Sequence, residues 1–194
     1  MSDSQQSVLV IHSSRFGQST KIAQAIADEL AALGYASDFQ ALSATTAPDL
    51  GRHCGLVLVA SVRYGYFDSK AYKMIDRYRA WLDSVPTLLV TVSLTARTEA
   101  KRDPAVHSYT VKFLQKSGWQ PSHIEVVAGI LEYPRYRVWD RLAIQLIMNM
   151  THGPTDPHLT IEYTDWDRVK ATADEYAALL DQHLDQHTKE GNPS

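Results

Sequence analysis

The chain has 194 residues, of which 44% are hydrophobic and 21% are charged, as expected for a folded, soluble protein. Its formal net charge of −3 provides no basic surface for nucleic acid, and its lone cysteine, Cys54, excludes an intrachain disulfide or a cysteine metal cluster. The N-terminus lacks the features of a signal peptide and no apolar run reaches the roughly 18–20 residues that span a bilayer, so we expect a protein of cytosolic origin without a metal site.

Short apolar strands alternate with helices along the chain. Strands are predicted at Ser7–Ile11, Tyr35–Ala41, Gly55–Ser61, Pro86–Val92 and Ile124–Ile130, and helices at Thr20–Leu33, Ser69–Asp83, Asp103–Ser117 and Asp165–His187. This alternation predicts one α/β domain over residues 1–194, built on a doubly wound parallel sheet, with residues 188–194 as a flexible tail. Ligands of such sheets bind beyond the carboxyl ends of the strands.

The loop after the first strand is rich in hydroxyl groups. It consists of Ser13, Ser14, Arg15, Phe16, Gly17, Gln18, Ser19 and Thr20 and leads into the first helix. The N–H groups and the positive dipole end of a helix attract phosphate, and the hydroxyls add donors. Because the loop matches neither common glycine-rich nucleotide motif, it indicates a single terminal phosphate, as in FMN. An ordinary helix cap by Ser19 or Thr20 is the alternative.

Two further loops follow predicted strands of the same sheet. The loop after the third strand contains Val62, Arg63, Tyr64, Gly65, Tyr66 and Phe67, and the loop after the fourth contains Ser93, Leu94, Thr95, Ala96 and Arg97. Three aromatic rings around a glycine favour stacking on a flat isoalloxazine ring. The alternative is that these rings close the edge of the sheet. Together with the hydroxyl-rich loop, they predict an FMN site.

An insertion at residues 131–160 separates the fifth strand from the last helix and is not needed by a five-stranded fold. It begins with LEYPRYR (131–137), which includes Tyr133, Arg135, Tyr136 and Arg137, and continues with Trp139 in a mostly apolar helix over residues 138–150. Its polar residues Asp140, Arg141, Gln145 and Asn149 are expected to form one stripe. This helix, about 20 Å long, is too short to cross a membrane. It could pack on the domain, lie on a bilayer surface or line an apolar ligand cleft.

The chain resembles the quinone-dependent protoporphyrinogen IX dehydrogenases, a bacterial branch of the long-chain flavodoxin-like proteins. The segments that carry the resemblance are SSRFGQSTKIA (13–23), ASVRYGYFDSKAY (60–72), SLTARTEAKRDP (93–104), AGILEYPRYRVWDRLAIQLIMNMTHG (128–153) and YTDW (163–166). They are spread over strand ends and the insertion, so the resemblance extends over nearly the whole chain, and the Tyr-Pro-Arg-Tyr-Arg segment with its apolar helix is the most specific part. One departure is His152, where the family more often has a small residue, and we assign it no catalytic role.

The resemblance implies a flavodoxin-like fold with strand order 2-1-3-4-5, FMN as cofactor, and oxidation of protoporphyrinogen IX to protoporphyrin IX in haem biosynthesis. It implies electron transfer to menaquinone or ubiquinone and peripheral association with the cytoplasmic side of the bacterial inner membrane through residues 138–150. The three loops would hold FMN. Arg135 and Arg137 are candidates for propionate recognition, and Tyr133, Tyr136 and Trp139 for an apolar substrate cleft. No side chain is predicted as a general base, because the flavin carries the chemistry.

Two other functions fit the same fold. An NAD(P)H:quinone reductase would need a nicotinamide site, and the sequence shows no arginine-rich pocket for a 2′-phosphate. A flavodoxin-type electron carrier would dock its partners through a strongly acidic face, which the net charge of −3 disfavours. Association into a homo-oligomer is left open.

Overall fold

A computed structural model describes residues 6–43, 49–150 and 153–190 of the chain. Its central sheet consists of β1 (Ser7–Ser13), β2 (Ala36–Ala41), β3 (His53–Ser61), β4 (Thr87–Val92) and β5 (His123–Val127). The strands are parallel in the order β2-β1-β3-β4-β5, which confirms the predicted arrangement. The central strands β3 and β4 are apolar almost throughout because helices cover both faces of the sheet.

The helices of the described ranges cover both faces of this sheet, apart from α5, which packs in the insertion. They are α1 (Gln18–Ala32), α2 (Ser69–Arg77), α3 (Arg79–Leu82), α4 (Ser108–Ser117), α5 (Val138–Met150) and α6 (Trp166–Glu190). Alternate side chains of β1 point to opposite faces. Val8 and Val10 pack with residues of α1 and α6, whereas Leu9 and Ile11 pack with residues of α2 and α4.

The segment predicted as one helix over Ser69–Asp83 forms two helices. Tyr78, with φ −111° and ψ 19°, separates α2 from the short helix α3. The single-helix prediction is wrong because the break has a tertiary cause. Arg79, the first residue of α3, donates hydrogen bonds to the carbonyl oxygens of Ser117 and Gly118 at the end of α4.

The helix predicted over Asp103–Ser117 begins five residues later, at Ser108. His107 has an extended backbone, and its Nδ1 accepts a hydrogen bond from the Thr110 N–H as the N-cap of α4. Asp103 closes a separate turn, in which its carbonyl oxygen accepts from the His107 N–H at 2.9 Å. A buried side-chain cap therefore sets the start of this helix, and the predicted start is wrong.

The fifth strand also ends earlier than the predicted Ile124–Ile130. β5 ends at Val127, and the chain then forms β6 (Ile130–Glu132), which pairs antiparallel with β7 (Thr160–Glu162). The sequence pattern missed this second sheet because each of its strands has only three residues.

The insertion has a small core of its own. Leu131, Tyr133, Tyr136 and Met148 are buried together, apart from the two clusters on the faces of the central sheet. Tyr133 Oη donates a hydrogen bond to the Pro154 carbonyl oxygen at 2.7 Å, which joins the beginning of the insertion to its end. The insertion is therefore a packed unit that can hold α5 in a defined place.

Two remaining expectations concern chain ends and membrane spans. Helix α6 continues to Glu190, so residues 188–190 of the predicted tail are helical, while 191–194 and His152 lie outside the described residues. Within the described ranges, every helix is too short or too polar to cross a bilayer.

Gly55 in β3 lies where the strand approaches α6. A Cβ at Gly55 would overlap Tyr176 Oη and lie 3.0 Å from the Pro86 carbonyl oxygen. Tyr176 is fully buried and donates a hydrogen bond to that same oxygen, so it cannot move away without losing this bond. We expect Gly55→Ala to lower the free energy of unfolding by about 1–3 kcal/mol, measured by chemical denaturation.

Gly51→Ala is the matched control. A Cβ at Gly51 would have only Asp49 Oδ1 nearby, at 3.8 Å, so this variant should be neutral or slightly stabilised. Equal losses of stability in both variants would contradict the packing argument.

Candidate functional site

A cavity of about 450 Å³ lies beyond the carboxyl ends of β1, β3 and β4. This is the edge of the sheet at which ligands of doubly wound folds bind, and the volume is in the range of cofactor pockets. Residues from all three predicted loops line it, together with residues of β6 and α5 from the insertion. The structure thus brings the loops and the insertion into one site.

Most, but not all, of the predicted cofactor residues lie at this cavity. Those that line it are Ser14, Arg15, Phe16, Gln18, Ser19, Val62, Arg63, Tyr64, Gly65, Ser93, Leu94, Thr95 and Arg97. Those that do not are Ser13, Gly17, Thr20, Tyr66 and Ala96. Ala96 is fully buried beneath the loop, and Tyr66 is 75% exposed on the surface.

The first loop turns into α1 at Gly17, which has a left-handed φ of 94° that glycine tolerates best. The Gly17 N–H donates a hydrogen bond to Ser14 Oγ at 3.0 Å. Gly17 supplies no side-chain cap to α1, and the first turn of this helix contains no acidic residue. The first-turn N–H groups therefore meet no competing carboxylate. With the hydroxyls of Ser14 and Ser19, they fit a phosphate monoester such as that of FMN.

Two side chains of this loop have other partners. Gln18 Nε2 donates to Glu162 Oε1 at 2.7 Å and to Thr164 Oγ1 at 2.8 Å. Thr20 Oγ1 lies 3.2 Å from His12 Nδ1. Their main-chain groups, rather than their side chains, are therefore available to a phosphate.

The second loop is a tight turn. Arg63 and Tyr66 exchange two main-chain hydrogen bonds, of 2.8 and 2.9 Å, around Tyr64 and Gly65, whose φ angles are 50° and 82°. Positive φ at both central positions is typical of a two-residue hairpin turn. The turn directs Arg63 and Tyr64 to the cavity. Phe67, by contrast, is buried in the core, and Tyr66 does not line the cavity, so Tyr64 is the one of the three predicted aromatic rings that lies at the cavity wall.

A buried chain of hydrogen bonds supports the third loop. Thr95 Oγ1 lies 3.0 Å from His107 Nε2, and His107 Nδ1 lies 2.7 Å from Thr110 Oγ1. Desolvation lowers the pKa of His107, which favours the neutral imidazole. This chain holds the Thr95 hydroxyl at the cavity wall. Sequence reasoning missed His107, since nothing nearby in the chain marks it as buried.

Asp140, in the first turn of α5, was predicted only as part of the polar stripe of this helix and not as a site residue. Its side chain is only 7% exposed and accepts hydrogen bonds from Tyr64 Oη and, at 2.6 Å, from Arg63 Nη2. Arg15 Nη2 lies 4.0 Å from its second oxygen. The hydrogen bond from Tyr64, followed by that from Arg63, lowers the pKa of the Asp140 carboxyl. This carboxylate is therefore ionised at neutral pH.

Helix α5 has two apolar faces. The cavity face carries Asp140, Ile144, Ile147 and Met148 at helical spacing. The predicted polar stripe is therefore wrong at Asp140. The outer face carries Val138, Trp139, Leu142 and Leu146, each more than half exposed.

Of the five predicted substrate residues, only Tyr136 lines the cavity. Tyr133 is fully buried in the core of the insertion and cannot form a cleft wall. Arg135 pairs with Glu132 at 3.1 Å and lies on the surface, as do Arg137 and Trp139. The guanidinium groups of Arg15 and Arg63 line the cavity instead, together with Arg97.

Comparison with known proteins agrees with this geometry. The flavodoxin domain family matches residues 9–158 of the chain. A protein of Escherichia coli strain K12 named protoporphyrinogen IX dehydrogenase (quinone) is 39% identical over 174 residues, which cover 90% of this chain and 96% of that protein. The chain belongs to this family of flavodoxin-domain dehydrogenases. A protein of the same name from Leishmania major is 41% identical over 124 residues, covering 64% of this chain and 54% of that protein.

Solved structures show the same fold at low sequence identity. The flavodoxin of Streptococcus pneumoniae TIGR4 has a TM-score of 0.50 and 18% identity, covering 89% of this chain and 98% of that one. Rubredoxin oxygen:oxidoreductase from Desulfovibrio gigas has a TM-score of 0.52 and 10% identity, covering 93% of this chain and 38% of that one. These similarities establish the fold alone.

Proposed function

We propose that the protein is an FMN-dependent dehydrogenase that oxidises protoporphyrinogen IX to protoporphyrin IX and passes the electrons to menaquinone or ubiquinone. The proposal depends on one observation, a cavity that combines an uncapped helix N-terminus with guanidinium groups and an apolar wall. The name of the E. coli relative, 39% identical over 90% of this chain, supports both the substrate and the quinone acceptor.

The residues of the cavity have separate roles in this reaction. FMN, when bound, would supply each of the three two-electron oxidations that convert protoporphyrinogen IX to protoporphyrin IX, and the quinone would accept each electron pair. Ser14, Ser19 and the first N–H groups of α1 would hold its phosphate. Tyr136 and Ile144 line the cavity on the side of the insertion and would exclude water from the reacting groups. No side chain of the cavity is assigned as a general base.

Anaerobic turnover tests the proposal. FMN-loaded protein is mixed with protoporphyrinogen IX and either menaquinone or ubiquinone, and porphyrin fluorescence is followed. We expect porphyrin to form only when a quinone is present. Formation no faster than autoxidation would refute the proposal. Rapid bleaching of the flavin by NADPH in stopped-flow mixing would instead support an NAD(P)H:quinone reductase.

The outer face of α5 supports a peripheral site of membrane contact on the cytoplasmic side of the bacterial inner membrane. Val138, Trp139, Leu142 and Leu146 form an exposed apolar surface on the same helix that lines the cavity. Burying such side chains in lipid stabilises binding by about 1.5–3 kcal/mol each when complete. A quinone dissolved in the bilayer would then lie close to the flavin site.

Replacing Leu142 and Leu146 with serine is expected to weaken sedimentation with phosphatidylethanolamine–phosphatidylglycerol vesicles about tenfold or more. The content of FMN should stay unchanged, because these side chains point away from the cavity.

Leu33→Ser is the control, since Leu33 is an exposed leucine at the end of α1, away from the insertion. Equal sedimentation of the double variant and the control would contradict membrane contact through α5. A homo-oligomer formed through this face would instead appear as a concentration-dependent dimer without lipid, lost in the double variant.

A further inference from the structure

The carboxylate of Asp140 joins the insertion to the two loops that follow β1 and β3. Its partners are Arg15 from the first loop and Arg63 and Tyr64 from the second. All four of these residues line the cavity, and none of them belongs to the apolar cores of the central sheet. The cluster therefore belongs to the cavity rather than to the fold.

The two arginines keep access to the cavity although Asp140 is nearly buried. The side chains of Arg15 and Arg63 are 44% and 35% exposed, against 7% for Asp140. Arg15 lies at ion-pair distance from the carboxylate, beyond a normal hydrogen bond. Because a guanidinium has five N–H donors, one aspartate cannot saturate two arginines.

The Asp140 carboxylate offsets the positive charge of the Arg15 and Arg63 guanidinium groups. The rest of the cavity face of α5 is apolar, with Ile144, Ile147 and Met148. A buried carboxylate in such surroundings is costly unless cations accompany it. Guanidinium groups beside an apolar wall also suit the carboxylate of an external ligand whose remaining part is apolar.

We infer that Arg63 and Arg15 form the subsite for a propionate carboxylate of the substrate, and that Asp140 occupies this subsite as an internal carboxylate while the substrate is absent. The inference rests on the proposed function, because a tetrapyrrole with two propionates presents carboxylates at the edge of an apolar macrocycle. It replaces Arg135 and Arg137, which lie outside the cavity.

Equilibrium binding of protoporphyrin IX and of its dimethyl ester to the FMN-loaded protein tests the inference, with fluorescence quenching as the measurement. Arg63→Gln should weaken binding of the free acid by about ten- to a hundredfold and leave the ester nearly unchanged. Asp140→Asn should tighten binding of the free acid by about three- to tenfold, because the internal competitor is removed. In the double variant that combines Arg63→Gln with Asp140→Asn, the tighter binding of the free acid should be lost, because the two substitutions act on one subsite.

Arg141→Gln and Asp167→Asn are the matched controls. Arg141 follows Asp140 in α5 but does not line the cavity, and Asp167 lies in the first turn of α6. Both should bind acid and ester as the unaltered protein does. If Arg63→Gln does not fold, Asp140→Asn alone tests the inference. Asparagine has nearly the shape of aspartate and can still accept the hydrogen bond from Tyr64.

An unchanged ratio of acid to ester affinity in Arg63→Gln would overturn the inference, as would weaker acid binding in Asp140→Asn. Loss of FMN together with equal losses of acid and ester would assign Arg63 to the cofactor and overturn it too. The proposed function is tested apart from this by quinone-dependent turnover of the unaltered protein. If the unaltered protein turns over but Arg63→Gln leaves the ratio of acid to ester affinity unchanged, the propionate subsite is refuted and the proposed function is not. If Arg63→Gln weakens binding of the acid selectively but the unaltered protein shows no quinone-dependent turnover, the proposed function is refuted and the carboxylate subsite is not.

Discussion

Replacing Ser14 with aspartate is expected to weaken FMN binding about a thousandfold while leaving the protein folded. Ser14 Oγ accepts the Gly17 N–H at 3.0 Å, and a carboxylate can keep this hydrogen bond. It would also interact favourably with the positive end of α1. A phosphate would meet this added charge at close range, where two like charges about 4 Å apart cost about 4 kcal/mol at an effective dielectric constant of about 20. The Kd for FMN, measured by flavin fluorescence, should rise about a thousandfold.

Two comparisons separate charge from shape at this position. Ser14→Asn adds a similar volume without charge and should weaken FMN binding by less than about tenfold. Riboflavin, which lacks the phosphate, should bind equally to Ser14→Asp and to the unaltered protein. Equal losses for riboflavin and FMN would show that the phosphate does not lie at this loop.

Tyr133→Ala is expected to release the insertion while the central sheet stays intact. Tyr133 is fully buried between Leu131 and the end of α5, and its Oη donates to the Pro154 carbonyl oxygen. Truncation of a large buried aromatic side chain costs about 3–5 kcal/mol. This core is distinct from the two cores of the sheet, with Phe16 and Leu94 of the cavity loops packed against it, so the loss should fall mainly on local opening. Hydrogen exchange of α5 should accelerate about a hundredfold or more, while β3 and β4 keep their protection.

Tyr133→Phe keeps the ring and removes only the hydrogen bond to Pro154, at a cost of about 1 kcal/mol. It should therefore accelerate exchange in α5 only slightly. Uniform loss of protection over the insertion and the sheet in Tyr133→Ala would show that they open together and would contradict a separate core.

The strand order and the edge of the sheet that holds the cavity could be predicted because they depend on local patterns. Apolar, β-branched runs such as 55–61 form buried parallel strands, and the carboxyl ends of β1, β3 and β4 must meet at one edge. The hydroxyl-rich loop, which begins at Ser13, was recognisable for the same reason, since it combines a strand end with a helix start.

The detailed lining of the cavity could not be predicted, because it depends on contacts between distant segments. Arg63 and Asp140 are 77 residues apart in sequence and meet only in the folded chain. The roles of the aromatic residues depend on the left-handed backbone of Tyr64, which sequence composition does not reveal. The start of α4 depends on a buried cap by His107, whose burial follows from the packing of the whole domain.

The hydrogen bonds from Gln18 to Glu162 and Thr164 also have a consequence for folding during synthesis. They connect the first loop to residues 144 and 146 positions later in the chain. Contacts of such long range form slowly, because a large loop must close before they contribute. During synthesis the hydroxyl-rich loop emerges early, but the hydrogen bonds that fix the Gln18 side chain at the cavity can form only after residue 164 has left the ribosome. Flavin is therefore expected to be acquired by the nearly finished chain, and its binding would mark the last stage of maturation.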